Sequence, residues 1–218
     1  MTTSFKICCM QNVEEARLAV HHGAAALGFV SAMPSGFGPI DEEEIAKIIA
    51  TVPSSVATFL LTCATDAKTI AEQQRRSGAS TLQLVDEVQP GTYAALRDSM
   101  PGVSLVQVIH VTGEESLRQA VAVAPEVDGI LLDSGNPSLK IKELGGTGRV
   151  HDWTVSRRIR EAVDVAIFLA GGLRPENVGE AITSVRPFAV DVCTGLRTDG
   201  ALDPVKLELF VTAVRAAA

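Results

Sequence analysis

Four residues have types that are hard to explain as filler: Lys6 and Cys8 in "FKICCM", Asp133 at the end of "GILLD", and Asp191 inside "FAVDVCT". A charge in an otherwise apolar run costs heavily unless it is paired, solvated or used. Lys6 and Asp191 can meet that cost together, as an interior ion pair with a supporting role. Asp133 comes last in its run, where a carboxyl can reach a ligand. Cys8 is open to two readings, a small buried hydrophobe or a thiolate doing chemistry. Strand alternation puts Phe5, Ile7 and Cys9 on one side and Lys6, Cys8 and Met10 on the other. The apolar set should face outward, so Cys9 is expected to pack there.

Three glycine clusters fall in the second half, in "ELGGTGRVHDW", "LAGGLRPENV" and "CTGLRTDG". Glycine lets bare backbone N–H groups approach an anion closely, and a phosphate dianion is well held by such groups beside a helix N-terminus. Each glycine alone could simply end a strand. Together they nominate Gly145, Gly146, Thr147, Gly148, Gly171, Gly172, Thr194 and Gly195 as a cradle for the phosphate of a small molecule such as a sugar phosphate.

These groups need a scaffold. Eight short apolar runs, "FKICCM", "AALGFV", "VATFLLT", "TLQLV", "LVQVIHV", "GILLD", "VAIFLAG" and "FAVDVCT", read as strands, and amphipathic segments such as "NVEEARLAVHHG" and "DEEEIAKIIATV" separate them. Asp41 is placed to cap the second helix, and Pro175 to sit in the first turn of the seventh. Strands alternating with helices require parallel crossovers, and eight such units fit a closed (β/α)₈ TIM barrel spanning residues 1–218 as a single domain. The rival open doubly wound sheet calls for a glycine-rich first turn, and the first turn here is "CCMQN". In a barrel, function gathers at the C-terminal ends of the strands, and phosphate in the late βα loops.

Composition excludes several classes. A formal net charge of −7 argues against nucleic-acid binding, which needs a basic face. No run approaches membrane-span length, and Met1–Lys6 is too short and polar for a secretory signal, so a cytoplasmic location is expected. Cys8, Cys9, Cys63 and Cys193 form no Cys-x-x-Cys and are expected free; His21, His22, His110 and His151 lack metal-ligand spacing, so no metal is expected.

Taken in order, "KICCM", "LGFV", "LQL", "LLDS", "GGTGRVHDW", "LAGGLRPENV" and "VDVCTG" resemble the motifs of the phosphoribosylanthranilate isomerase family along nearly the whole chain. The resemblance implies a TIM barrel and an Amadori rearrangement of an aminoaldose phosphate to an aminoketose phosphate in tryptophan biosynthesis, without cofactor or metal. It places the general base on Cys8 and the general acid on Asp133. It leaves the assembly as monomer or homodimer.

The chain departs from the family where the anthranilate would be held. The family's Ser-Pro-Arg stretch after strand two, whose arginine receives the carboxylate, is replaced by "MPSGFGPI", leaving Phe37 to meet the aglycone. Gln-Leu-His-Gly after strand four becomes Gln83-Leu84-Val85-Asp86, Cys9 replaces a glycine, and Arg197 replaces an acid. A lost charged hydrogen bond is worth about 1.5–3 kcal/mol, so Arg197 is a candidate for the missing cation. The alternatives are a same-fold enzyme for another phosphoribosyl amine or sugar phosphate, and a phosphate-ligand binding barrel without turnover.

Overall fold

The computed structural model describes residues 3–34, 36–135 and 148–217. Strands β1 (Ser4–Ile7), β2 (Ala26–Val30), β3 (Ala57–Thr62), β4 (Thr81–Leu84), β5 (Ser104–His110), β6 (Gly129–Asp133), β7 (Ala166–Leu169) and β8 (Ala189–Val192) close into one parallel barrel. Helices α1 (Val13–His21), α2 (Glu42–Ile49), α3 (Ala67–Ser77), α4 (Thr92–Ser99), α5 (Glu114–Val123), α6 (Trp153–Ala162), α7 (Val178–Val185) and α8 (Pro204–Ala217) follow the strands in turn.

Local chemistry sets the helix starts. Asn12, Asp66 and Asp152 each accept a backbone N–H of the first turn, from Glu15, Thr69 and Thr154. Asp41 occupies the cap position of α2 without such a bond, and three glutamates follow it. Pro175 lies in a turn ahead of α7, which begins only at Val178. There Asn177 turns back to accept the Arg174 N–H at 2.8 Å.

Two apolar layers result from strand alternation. Phe5, Ile7, Leu27, Phe29, Leu60 and Leu82 join the helices in the outer core, where Phe5 packs edge-on against Phe210 of α8. Val30, Phe59, Val106, Val108, Leu131 and Phe168 fill the barrel. Inside this second layer Lys6 pairs with Asp191, its register partner on β8, at 2.9 Å and lies 5.2 Å from the Phe59 ring centre.

Candidate active site

The end of β1 is pinned from both sides. The Cys8 N–H donates to Val192 O of β8 at 2.8 Å, and the Met10 N–H to Gly28 O of β2 at 2.9 Å. A Cβ at Gly28 would stand 2.7 Å from the Cys8 Sγ and 3.0 Å from the Lys6 Nζ. The missing side chain on β2 is therefore what makes room for the thiol and the ammonium. A glycine inside a strand is a sequence signal of close approach, and Gly28 is a site residue that pattern reading passed over.

Cys9 corrects the strand reading. Its φ of 64° places a non-glycine residue in the left-handed region, which breaks the alternation beyond Ile7. Cys9 therefore turns into the barrel layer and the cavity, while Met10 packs outside. A hydrogen bond from Cys9 is the largest influence holding the Cys8 thiol below the ordinary range; burial opposes it, and the Lys6 ammonium adds to it. The Cys9 thiol is pushed well up through its bonds to Cys193 and Cys8. Lys6 itself stays charged: burial is the largest single influence and would strip its proton, but Asp191 together with Cys8 and Cys9 outweighs it and raises the pKa.

Across the cavity, Asp133 ends β6 with 8% of its surface exposed. Burial raises its carboxyl pKa, against the pull of a 2.7 Å bond from the Ser134 N–H to its Oδ1. The cavity floor also carries two acceptors without a hydrogen-bond partner, Gln83 Oε1 and Asp191 Oδ1.

Gly148, Gly171, Gly172 and Thr194 line this same cavity, so the loops after β6, β7 and β8 converge there. Gly171 and Gly172 have φ of 83° and 63°. A Cβ on Gly172 would strike the Arg149 backbone at 2.6 Å. Gly195 is absent from the lining; its bare Cα admits the Leu173 carbonyl. Gly145, Gly146 and Thr147 lie outside the described residues.

Phe37 lines the cavity mouth, but Arg197 does not. The Arg197 guanidinium lies 4.7 Å behind the Phe37 ring, gives Nη1 and Nη2 to Glu15 at 2.9 Å each, and gives its other two Nη protons to Gly200 O and Cys9 O. Four of its five donors are thus spent inside the protein, whereas the sequence reading expected this guanidinium to be open to a substrate carboxylate. Among the described residues no cluster of His, Cys, Asp or Glu could hold a metal, and no helix is long and apolar enough to cross a membrane.

The family model "N-(5'phosphoribosyl)anthranilate (PRA) isomerase" matches residues 5–213. The N-(5'-phosphoribosyl)anthranilate isomerase of Methanothrix thermoacetophila is 36% identical over 98% of both chains. Isomerase 2 of Methanosarcina mazei is 33% identical over 94% of this chain and 91% of its own. Among solved structures, the Thermotoga maritima enzyme superposes with a TM-score of 0.83 at 28% identity, covering 99% of this chain and 100% of that one. A phosphoribosylanthranilate isomerase in complex with reduced 1-(o-carboxyphenylamino)-1-deoxyribulose 5-phosphate gives 0.82 at 25% identity, with the same coverage. A closed barrel with a thiol and a carboxyl at its mouth, matched along nearly its full length, belongs to the N-(5'-phosphoribosyl)anthranilate isomerase family of aldose–ketose isomerases.

Proposed function

We propose that the protein converts N-(5'-phosphoribosyl)anthranilate to its aminoketose phosphate with Cys8 as general base and Asp133 as general acid. The observation that carries the assignment is that the two groups share one cavity with their pKa values displaced in opposite directions, the thiol down and the carboxyl up. Environments that push titratable groups apart in this way suit one to take a proton and the other to give one near neutrality.

Protonated Asp133 delivers its proton to the ring oxygen, and the furanose opens to an iminium. The Cys8 thiolate then removes the C2′ proton to form the enolamine, which tautomerises to the ketone. Only protons move, so the reaction needs no redox partner. Gly148, Gly171, Gly172 and Thr194, with Gly145, Gly146 and Thr147 from the sequence pattern, hold the phosphate. Gly195 supports that loop from behind. The aglycone lies toward Phe37, Met33 and Val30.

A second reading has one observation in its favour. With Arg197 committed to Glu15, the described aglycone wall is apolar, which suits a phosphoribosyl arylamine without the carboxylate. Assays with phosphoribosylanthranilate generated in situ, and with the aniline analogue, separate the two. Loss of substrate fluorescence that falls by about 10²–10⁴ in both Cys8→Ala and Asp133→Asn supports the assignment. Turnover of the analogue alone favours the second reading, and a folded protein that binds sugar phosphate and turns over neither is a binding barrel.

A further inference from the structure

Three of the four cysteines meet at the cavity. Cys8 and Cys9 follow β1, Cys193 follows β8, and all three line the cavity, whereas Cys63 does not. The register that pairs Ile7 with Val192 continues through the bond from the Cys8 N–H to Val192 O, which sets Cys193 beside the end of β1. Cys8, Cys9 and Cys193 are unbridged thiols. The Cys9 thiol lies within hydrogen-bonding reach of both other sulfurs. Its far side is closed by the loop after β2. A Cβ on Gly38 would stand 3.2 Å from the Cys9 Sγ, and Gln11 Nε2 ties the Gly38 and Cys9 carbonyls together at 2.9 and 3.3 Å. Cys9 is therefore a fixed middle sulfur with a thiol on either hand.

The three differ in what they can do. Cys8 has the thiolate character, and the thiolate is the form that attacks an oxidant. Cys8 and Cys9 are only 5% and 6% exposed, so the cavity they line is the approach to both. Cys193 is half-buried and joins β8 to a single 3₁₀ turn, Thr194–Leu196, outside the strand ladder. A thiol of lowered pKa is also the better leaving group in disulfide exchange. Attack, transfer and release thus run in one direction, from Cys8 through Cys9 to Cys193.

We propose that Cys8, Cys9 and Cys193 form a hydroperoxide-reactive site whose end product is a reversible Cys9–Cys193 disulfide. The Cys8 thiolate attacks the peroxide O–O bond, giving a sulfenic acid and an alkoxide or hydroxide that takes a proton from water. The Cys9 sulfur displaces the sulfenic oxygen, which leaves as water with the Cys9 proton, and a Cys8–Cys9 bond forms. That bridge closes a ring around a planar peptide bond and is strained. Cys193 then attacks the Cys9 sulfur, gives its proton to solvent, and expels Cys8 as thiolate. In sum two thiols are oxidised, and one hydroperoxide is reduced to an alcohol, or to water, with release of a further water. The bridge uses up the Cys9 S–H that most favours the Cys8 thiolate, so turnover should fall as well. This last effect rests on the reading of Cys8 as the base; the bridge does not.

The test is brief exposure of the full chain to hydrogen peroxide, alkylation under denaturing conditions, and mapping of the bridge by peptide fragmentation. The expected product links Cys9 to Cys193, leaves Cys8 open to alkylation, and reverts with dithiothreitol. In Cys8→Ser the bridge should form about tenfold more slowly or worse, since an ordinary thiol is only a few per cent ionised near neutrality. In Cys193→Ser oxidation should stop at Cys8 or at the Cys8–Cys9 bond. Four alkylatable thiols after peroxide, a bridge that takes Cys63 instead, or a bridge formed as fast without Cys8 would overturn the proposal. Phosphoribosylanthranilate turnover should fall with bridge formation and return with dithiothreitol. A bridge that forms as described in a protein that never turns over that substrate upholds the site and removes only the base, so the two failures are distinguishable.

Discussion

Arg197 holds Glu15 through two hydrogen bonds of 2.9 Å, and the same guanidinium donates to the carbonyl of Cys9, the residue directly after the proposed base. Glu15 also receives the Leu202 and Gln11 N–H groups, at 3.0 and 3.2 Å. Burial disfavours the Glu15 charge, yet these bonds hold its pKa below the usual range. The pair ties α1 and the loop after β8 to the turn that ends β1.

Arg197→Met should therefore act on stability before binding. Removing one partner of a buried pair strands the other, at a cost of about 3–5 kcal/mol, whereas replacing both is far milder. Urea denaturation of Arg197→Met and of Glu15→Gln/Arg197→Met should show the loss and most of its recovery. Affinities for phosphoribosylanthranilate and for inorganic phosphate should change together; selective loss of the former would restore Arg197 as a carboxylate ligand.

Cys9→Gly separates backbone from thiol. Glycine relieves a left-handed conformation that costs about 1–2 kcal/mol, while its extra unfolded-state freedom returns about 0.4–1 kcal/mol. On these two effects the net gain should lie between about 0 and 1.6 kcal/mol. The midpoint of Cys8 alkylation should nonetheless move to higher pH, because the hydrogen bond that most favours the thiolate is gone. An unmoved midpoint would assign the thiolate to Lys6 alone.

Lys6→Met leaves Asp191 buried without its cation, and the expected destabilisation is again about 3–5 kcal/mol. Lys6→Met/Asp191→Leu should recover most of it. In the double variant the thiol should still alkylate at higher pH than in the parent, since the ammonium that favours its ionised form is absent.

His151 gives stability a pH signature. Burial depresses its pKa from 6.5 to about 4, with Nε2 held 2.7 Å from the Ser156 Oγ. The unfolded chain takes up a proton near pH 6.5 that the folded protein refuses, so this contribution is complete above that pH and is lost as pH falls toward 4. The full loss amounts to about 3 kcal/mol. Subtracting the urea stability curve of His151→Gln from that of the parent should isolate it, and a flat difference between these two pH values would show that the ring titrates normally.

The strand runs were legible because period-two apolar patterning is local, and eight of them with helical spacers leave few closed arrangements. The same holds for Lys6 and Asp191, whose burial in apolar strands required a partner. Cys8, Asp133 and the glycine loops could be nominated from position and from motif.

Other features depend on residues far apart in the chain. Arg197 looked available from its place in a mouth loop, and only the approach of α1 brings Glu15 close enough to claim it. Gly28 matters because β1 lays a thiol and an ammonium against it. Cys9 packs inward because one positive φ ends the alternation that strand reading assumes. Sequence alone determined the barrel, the interior ion pair and the residues worth suspecting, since those follow from local periodicity and the cost of burying charge. Tertiary structure decided which donors were already spent and which side chain a glycine had to admit, because each depends on which strands and helices meet in space.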